Sequence, residues 1–235
     1  MTKILVIASG KGGVGKTTAA LNIGTALAQY GRNTVVVDAD LRNPSIALYL
    51  GSPNLKSTIN EVLKGKAHIS QVAYMHPSGL RIIPASIKHE DTFEPDTERI
   101  GHVIADLHGL CEIVIVDIGN IHESTSLLRS CDGVLIVTSP NIIDIADALR
   151  AIKSIEMHGG KVIGVMLNKV RNDDIEMDIK SVESLLEKRV IAVIPEDNAV
   201  RRSVHLKHPV VYLSPDAESS QGYKKLAKLL IEGKS

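Results

Sequence analysis

The chain has 235 residues, and its 27 Lys and Arg are balanced by 27 Asp and Glu, so no net charge indicates a nucleic-acid or acidic-lipid partner. Its apolar content of 44% is sufficient for one core, and its apolar runs are of strand length, too short to span a membrane. The N-terminal segment lacks the pattern of a signal peptide. We therefore predict one domain over residues 1–235, located in the cytoplasm.

Short β-branched runs alternate with segments of helical period along most of the chain. The runs are continuously apolar, which is typical of parallel strands covered on both faces. This alternation predicts an α/β fold, a doubly wound and mostly parallel sheet with helices on both faces. The strands are predicted at 4–8, 34–37, 80–83, 113–116, 134–138, 161–167 and 190–194, with helices at 19–29, 57–63, 143–158, 179–188 and 223–231 and a turn at 75–79.

A glycine-rich loop follows the first predicted strand. The segment from Ser9 to Thr18 reads SGKGGVGKTT and contains the pattern G-x-x-x-x-G-K-[ST] between a strand and a helix. Glycines allow successive backbone N–H groups to face an anion, and the helix N-terminus adds partial positive charge. The loop therefore predicts a P-loop NTPase fold, with Lys16 on the β- and γ-phosphates and the Thr17 hydroxyl on Mg²⁺.

Three carboxylates stand at the ends of predicted strands. Asp38 and Asp40 follow the second strand, and Asp117 closes the run CEIVIVD. A strand-end acid is also a common cap of the following helix, so each one alone is ambiguous. Three of them in a chain with a phosphate loop favour a metal-phosphate site, one acid acting through a metal-bound water and another toward an attacking water.

Other polar residues carry weaker signals. The Asn168 amide follows a strand and suits an adenine edge, although Asn is also a common turn residue there. Cys111 and Cys131 lie in no CxxC or Cys/His pattern, which favours buried, inert thiols. His205 and His208 form the closest histidine pair, and we expect surface residues or cations at a helix end.

With these motifs in place, the chain resembles the MinD/ParA family of ATPases, and most of all its archaeal MinD-like branch. The resemblance covers about residues 1–230 and is carried by KGGVGKTT, VDADLRNPS, VLIVTSP, LNKV and VIPEDNAVRRSVHLKHPVV. Lys11 is the additional lysine that marks the family's phosphate loop. In relatives this lysine reaches across a nucleotide-sandwich dimer to the phosphates of the partner.

The resemblance implies an ATPase with ATP and Mg²⁺ as cofactors. It implies catalytic roles for Lys11, Lys16 and Asp40, with Asp40 positioning the attacking water, and metal binding by Thr17, Asp38 and Asp117. It further implies that Asn168 and the loop at Pro195 hold adenine. The nucleotide-binding set is Gly10, Lys11, Gly12, Gly13, Val14, Gly15, Lys16, Thr17, Thr18, Asn168, Pro195, Glu196 and Asp197.

The second switch departs from the family pattern. Relatives read Asp-x-Pro-Ala-Gly or Asp-x-Pro-Pro-Gly, whereas this chain reads DIGNIH from Asp117 to His122. Metal binding through Asp117 should survive the change, whereas γ-phosphate sensing, and with it the hydrolysis rate or the coupling to a partner, is expected to be affected. We hypothesise that Gly119 takes the sensing role at a shifted register, and His122 is the histidine to test.

The leading hypothesis is a switch ATPase that positions the division site or another cellular structure. ATP closes a homodimer, a protein partner binds that state and stimulates slow hydrolysis, and hydrolysis releases it. One alternative is a metal-cluster carrier or reductase component of the same fold, which needs surface thiolates. A small-molecule ligase or synthetase is disfavoured because such enzymes usually lack the lysine at position 11.

Two further interactions are open on sequence. A ParA-type partitioning ATPase would hold DNA with Arg201, Arg202, Lys207, Lys224, Lys225 and Lys228, but nearby acids and overall neutrality favour a solvated surface. In the last helix, Tyr223, Leu226, Leu229 and Leu230 form an apolar stripe that either touches a membrane weakly or packs in the core. Core packing is favoured, so we expect any peripheral attachment to a membrane to occur through a partner protein.

Overall fold

The computed structural model describes residues 2–92 and 98–233, and within these ranges eight strands form one sheet. The strand order is β3-β4-β2-β5-β1-β6-β7-β8, and every pairing is parallel except that of β3 with β4. The strands are β1 (Lys3–Ala8), β2 (Thr34–Asp38), β3 (Tyr74–Met75), β4 (Arg81–Ile83), β5 (Ile113–Asp117), β6 (Gly133–Thr138), β7 (Val162–Val170) and β8 (Val190–Pro195).

The helices of the described ranges cover both faces of this sheet. They are α1 (Lys16–Gln29), α2 (Ile46–Tyr49), α3 (Ile59–Leu63), α4 (His89–Thr92), α5 (Ile100–Ala105), α6 (Thr125–Ser130), α7 (Ile142–Met157), α8 (Ile179–Leu186), α9 (Asn198–His205), α10 (Val210–Leu213) and α11 (Glu218–Glu232). Successive residues of a strand belong to the apolar clusters on opposite faces of the sheet. Val6 is in the cluster that contains residues of α5 to α8, and Ile7 is in the cluster that contains residues of α1 and α11. This explains the continuous apolar runs and confirms the predicted doubly wound sheet.

Several local predictions differ from the structure. The edge strand β3 was not predicted, and Met75 belongs to it; the turn begins at His76, whose N–H donates to the Leu80 carbonyl at 2.9 Å. The helix predicted from residue 57 begins only at Ile59, because Thr58 has extended backbone. The short helices α2, α4, α5, α6 and α10 span too few turns for a helical period to stand out in the sequence.

The apolar stripe of α11 lies in the protein core. Tyr223 and Ala227 are fully buried, and Leu226 is 1% exposed. Leu229 and Leu230 are partly buried against the same cluster. The stripe therefore packs on the sheet as the core interpretation expected, and no helix among the described residues is long and apolar enough to cross a bilayer.

Candidate nucleotide-binding site

A cleft of about 860 Å³ opens beyond the carboxyl ends of β1, β2 and β5. This is the edge where ligands bind in doubly wound sheets. The phosphate loop forms its floor, and residues 40–43, residues 119–122 and one side of α7 form its walls. The cleft therefore brings together the three residues predicted to be catalytic, Lys11, Lys16 and Asp40.

The phosphate loop is fixed by close contacts on two sides. Gly15 has φ 102°, and a Cβ there would lie 2.3 Å from the Asn168 amide nitrogen, so only glycine fits. That nitrogen donates a hydrogen bond to the Val14 carbonyl at 2.7 Å. On the other side, a Cβ on Gly10 would lie 2.0 Å from the Asp147 carbonyl oxygen of α7. The loop is thus held between the end of β7 and the side of α7.

Lys169 is a loop contact that the sequence analysis missed. Its ammonium donates to the Gly13 carbonyl at 2.8 Å, and its backbone has φ 59°, a left-handed conformation that is uncommon for lysine. Asn168 and Lys169 therefore hold the carbonyls of two successive loop residues. The only sequence signal was the adjacency of Lys169 to Asn168 in LNKV.

Two buried carboxylates lie beside the start of α1. Asp38 and Asp117 are register partners on the neighbouring strands β2 and β5. The Thr17 hydroxyl donates to Asp117 Oδ2 at 2.5 Å and lies 2.8 Å from the Ser45 hydroxyl. Asp38 Oδ2 accepts the backbone N–H groups of Ser45 and Ile46 at 3.1 and 3.0 Å. The predicted metal-binding residues Thr17, Asp38 and Asp117 are thus brought together, and Ser45 joins them.

The donor atoms of this group fit Mg²⁺. Burial and the neighbouring Asp117 raise the pKa of Asp38 well above its ordinary value, and burial raises the pKa of Asp117 to about 6. Asp117 Oδ1 is buried and has no hydrogen-bond partner in the part of the chain that the structure describes, as expected of an oxygen that faces a cation or its water. Among the described residues, no group of three His, Cys, Asp or Glu is arranged to hold a metal. Phosphate oxygens and water would complete the coordination of a bound Mg²⁺.

Lys11 is held by a carboxylate of its own chain. Its ammonium donates to Asp144 Oδ1 at 2.9 Å. The Ser139 hydroxyl and the Asn141 amide also donate to Asp144, at 2.5 and 2.8 Å. The Asp144 hydrogen bond raises the pKa of Lys11; burial opposes ionisation of Asp144, but these hydrogen bonds hold its pKa below the ordinary value. Asp144 was missed because an acid in the first turn of a helix is an ordinary capping feature.

The altered second switch lies against the first one. A Cβ on Gly119 would lie 2.3 Å from Asp40 Cγ, so the Asp40 carboxylate rests directly on the Gly119 backbone. Asp40 Oδ1 also accepts the Asn43 N–H at 3.0 Å. His122 lines the cleft, and its ring lies 5.8 Å from that of His158, centroid to centroid. The structure thus places Gly119 beside the acid predicted to position water.

The loop predicted to hold adenine has a structural framework of its own. Pro195 ends β8 opposite Val170, and the Glu196 side chain forms an ion pair with Arg171. The Asp197 carboxylate caps α9 through the Ala199 N–H at 2.7 Å and accepts the Ser219 hydroxyl at 2.8 Å. The Asp197 side chain is therefore engaged in holding α9 and α11, and a base contact in this loop would fall to its backbone or to its neighbours.

The thiols do not offer a surface cluster site. Cys111 is buried, and burial raises its pKa. Cys131 is partly buried, and burial raises its pKa to about 11. Neither thiol is activated as a nucleophile or metal ligand.

These features define the class of the protein. The chain belongs to the family of CobQ/CobB/MinD/ParA nucleotide-binding domains, whose model matches residues 5–210. This match confirms the predicted MinD/ParA type of ATPase.

Individual relatives show which members of the family the chain resembles. The chain is 37% identical over 236 residues to an uncharacterised ATP-binding protein of Methanocaldococcus jannaschii, covering 100% of this chain and 89% of that one. It is similar to the septum site-determining protein MinD of Pyrococcus horikoshii in complex with Mg-ADP, with TM-score 0.92, 28% identity and coverage of 100% and 98%. It is also similar to MinD in the MinC:MinD complex of Aquifex aeolicus, with TM-score 0.85, 26% identity and coverage of 98% and 96%. The predicted archaeal MinD-like resemblance is confirmed, and ATP with Mg²⁺ agrees with the ligands named for these relatives.

Proposed function

We propose that the chain is a MinD-type molecular switch that dimerises on ATP and hydrolyses it slowly to regulate the position of the division site or another cellular structure. The observation that carries the proposal is the combination of Lys11, a complete phosphate loop and the Thr17, Asp38 and Asp117 group in one cleft. The single domain over residues 1–235 and its cytoplasmic, partner-mediated peripheral membrane location belong to the same proposal.

Hydrolysis in this cleft is an in-line attack of water on the γ-phosphate. Lys16 and the backbone N–H groups of the loop bind the phosphates, and Mg²⁺ held by Thr17 with Asp38 and Asp117 supplies positive charge to the phosphate oxygens. Asp40 would orient the attacking water, and the backbone of Gly119, which the Asp40 carboxylate contacts, would detect the γ-phosphate. Adenine would be held by Asn168, whose amide nitrogen also donates to the Val14 carbonyl, and by the segment from Pro195 to Asp197.

Lys11 links the nucleotide state to dimer formation. In the single chain its ammonium forms an ion pair with Asp144, and the Lys11 side chain is half exposed. To reach the phosphates of a partner, Lys11 must break its ion pair with Asp144. The negative charge of two triphosphates at the interface then replaces the Asp144 carboxylate as the partner of the lysine. The exchange makes dimerisation depend on the nucleotide, and a protein partner that reads the dimer can then be recruited. MinD of Aquifex aeolicus forms a complex with MinC, which supports a protein partner for this chain.

The alternatives receive less support. A cluster carrier needs exposed thiolates, and both thiols here have raised pKa values. A DNA-binding surface needs free cations, but the Lys224 ammonium donates to the Pro215 carbonyl at 2.8 Å and that of Lys228 lies 5.6 Å from the centre of the Tyr30 ring. Arg201 and Arg202 remain exposed on α9. A DNA-binding function is therefore the less favoured alternative, and a salt-sensitive gel shift with DNA would reverse that conclusion.

The test combines light scattering with ATP hydrolysis. Wild type, Lys11→Ala and Asp40→Ala are measured with ADP, ATP and a non-hydrolysable analogue. Lys66→Ala serves as the control, since Lys66 is exposed and does not line the cleft. We expect ATP to drive a dimer in wild type and Lys66→Ala, no dimer in Lys11→Ala, and a persistent dimer in Asp40→Ala because hydrolysis is blocked. A protein that binds ATP yet stays monomeric would instead favour a carrier or scaffold role.

A further inference from the structure

A second cavity, of about 260 Å³, lies between α2, the β3–β4 hairpin and the turn that follows α9. It shares no lining residue with the nucleotide cleft. Its walls are mostly apolar and include Ile46, Leu50, Ile82 and Pro84. A concave, largely apolar space with a few polar groups at one end is the usual form of a small-molecule site.

A histidine pair forms the polar end of this cavity. His76 Nε2 lies 2.9 Å from His208 Nδ1, and the Ser78 N–H donates to His76 Nδ1 at 3.1 Å. Because His76 Nδ1 accepts from Ser78, its Nε2 carries hydrogen and donates to His208. With Nδ1 accepting this hydrogen bond, His208 carries its ring hydrogen on Nε2 and can donate it to a ligand. Of the two histidines predicted as surface residues or cations at a helix end, His205 is exposed in the last turn of α9, and His208 is partly buried beside His76.

Lys207, the residue before His208, is a cationic residue of the same cavity. It lines the cavity and has φ 65°, a left-handed conformation in which glycine or asparagine is the common residue. Its stem packs on Gly51, where a Cβ would lie 3.0 Å from Lys207 Cγ. The described residues that line the cavity include Lys207 and two histidines but no Asp or Glu. The charge of the site therefore matches a monoanion.

We propose that this cavity binds a small carboxylic acid with a compact apolar body, the carboxylate at Lys207 and His208 and the body between α2 and the hairpin. Its volume suits a ligand of roughly ten non-hydrogen atoms, since ligands fill most of the pocket that holds them. Binding at this cavity does not depend on the proposed dimerising switch.

The cavity is connected to the metal site through α2. Ile46 forms part of the wall, and its N–H donates to Asp38 Oδ2 at 3.0 Å. The preceding residue, Ser45, donates its N–H to the same oxygen and contacts the Thr17 hydroxyl. A ligand that moves or fixes Ile46 therefore changes the affinity for Mg-nucleotide, and Mg-nucleotide must change the ligand's affinity by the same factor.

The binding test uses 3-phenylpropionate as the probe. Its amide, 3-phenylpropionamide, is the control compound, with nearly the same shape but no charge. The natural chain has no tryptophan, and Met75 lines the cavity while 67% exposed, so Met75→Trp places a single fluorophore at its rim. We expect the acid to change the emission with a dissociation constant of about 1 mM, as fragments of this size give, and the amide to bind about tenfold more weakly. Ligand-observed NMR on the natural chain repeats the comparison without any substitution.

Lys207→Asn removes the positive charge and keeps the local backbone conformation, because asparagine tolerates the left-handed region. This variant should lose the preference for the acid, whereas Lys66→Asn, at an exposed residue outside the cavity, should keep it. Equal binding of acid and amide, or an undiminished preference in Lys207→Asn, would overturn the proposal.

Coupling is tested by titrating Mg-ADP with and without saturating 3-phenylpropionate. We expect at least a threefold change in the Mg-ADP dissociation constant, and Lys207→Asn should need about tenfold more acid for the same change. An unchanged constant in the presence of bound acid refutes the connection through α2. Mg-ADP binding requires neither dimerisation nor hydrolysis, so the result is independent of the proposed switch.

Discussion

Asp117→Asn should stabilise the protein when nucleotide and metal are absent. Asp117 is 1% exposed, one of its oxygens has no hydrogen-bond partner within residues 2–92 and 98–233, and burial raises its pKa from 3.8 to about 6. A carboxylate that holds its proton more tightly in the folded state stabilises the fold fully below pH 4 and loses that contribution as pH rises through 6. A shift of about two units corresponds to about 3 kcal/mol, and asparagine mimics the protonated acid at every pH.

The assay is urea unfolding in EDTA from pH 4 to pH 8. At pH 8 the variant should exceed wild type by up to about 3 kcal/mol, and the two curves should converge as pH falls toward 4. Asp106→Asn is the control, since Asp106 is exposed at the end of α5. Adding Mg²⁺ should stabilise wild type and leave the variant unchanged. A variant no more stable than wild type at pH 8, or a gain independent of pH, would refute the reasoning.

Three further substitutions test other parts of the structure. Gly119→Ala should displace the Asp40 carboxylate, whose Cγ would lie 2.3 Å from the new Cβ, and lower kcat about 100-fold with nucleotide affinity retained; an unchanged kcat would contradict the role of Asp40. Lys169→Asn keeps the left-handed backbone but removes the bond to Gly13, so calorimetry should show Mg-ADP binding about tenfold weaker, and Lys180→Asn should not. Tyr223→Phe removes a buried hydroxyl that has no partner among the described residues, so urea unfolding should show equal or higher stability, by about 1 kcal/mol; a clear loss would reveal a partner, such as a buried water.

The fold was readable from the sequence because its strongest signals are local. Continuous apolar strands such as β1 and β5 can be buried only under helices on both faces, and the glycine loop after β1 identifies the edge where phosphate binds. Strand-end acids could be assigned to one site because parallel strands bring their ends together. The partnership of Asp38 with Asp117 follows from that rule alone.

The contacts that could not be predicted join segments far apart in the chain. Lys11 and Asp144 are 133 residues apart, and an acid in a first helical turn gives no sign of a tertiary partner. His76 and His208 are 132 residues apart, and each in isolation resembles a loop histidine. Edge strand β3 has two residues, which is too short for alternation to be visible. Pairings of this kind depend on the packing of helices, which periodicity does not encode.

The support that β7 gives the phosphate loop also affects when the protein becomes able to bind nucleotide. Asn168 lies 154 residues beyond its loop partner Val14, so the carbonyls of the loop are fixed only after the seventh strand has joined the sheet. During synthesis, a nascent chain that ends before residue 168 displays the whole glycine motif without the contacts that shape it. Phosphate affinity is therefore expected to report completion of the sheet, and nucleotide would select finished molecules over partly folded ones.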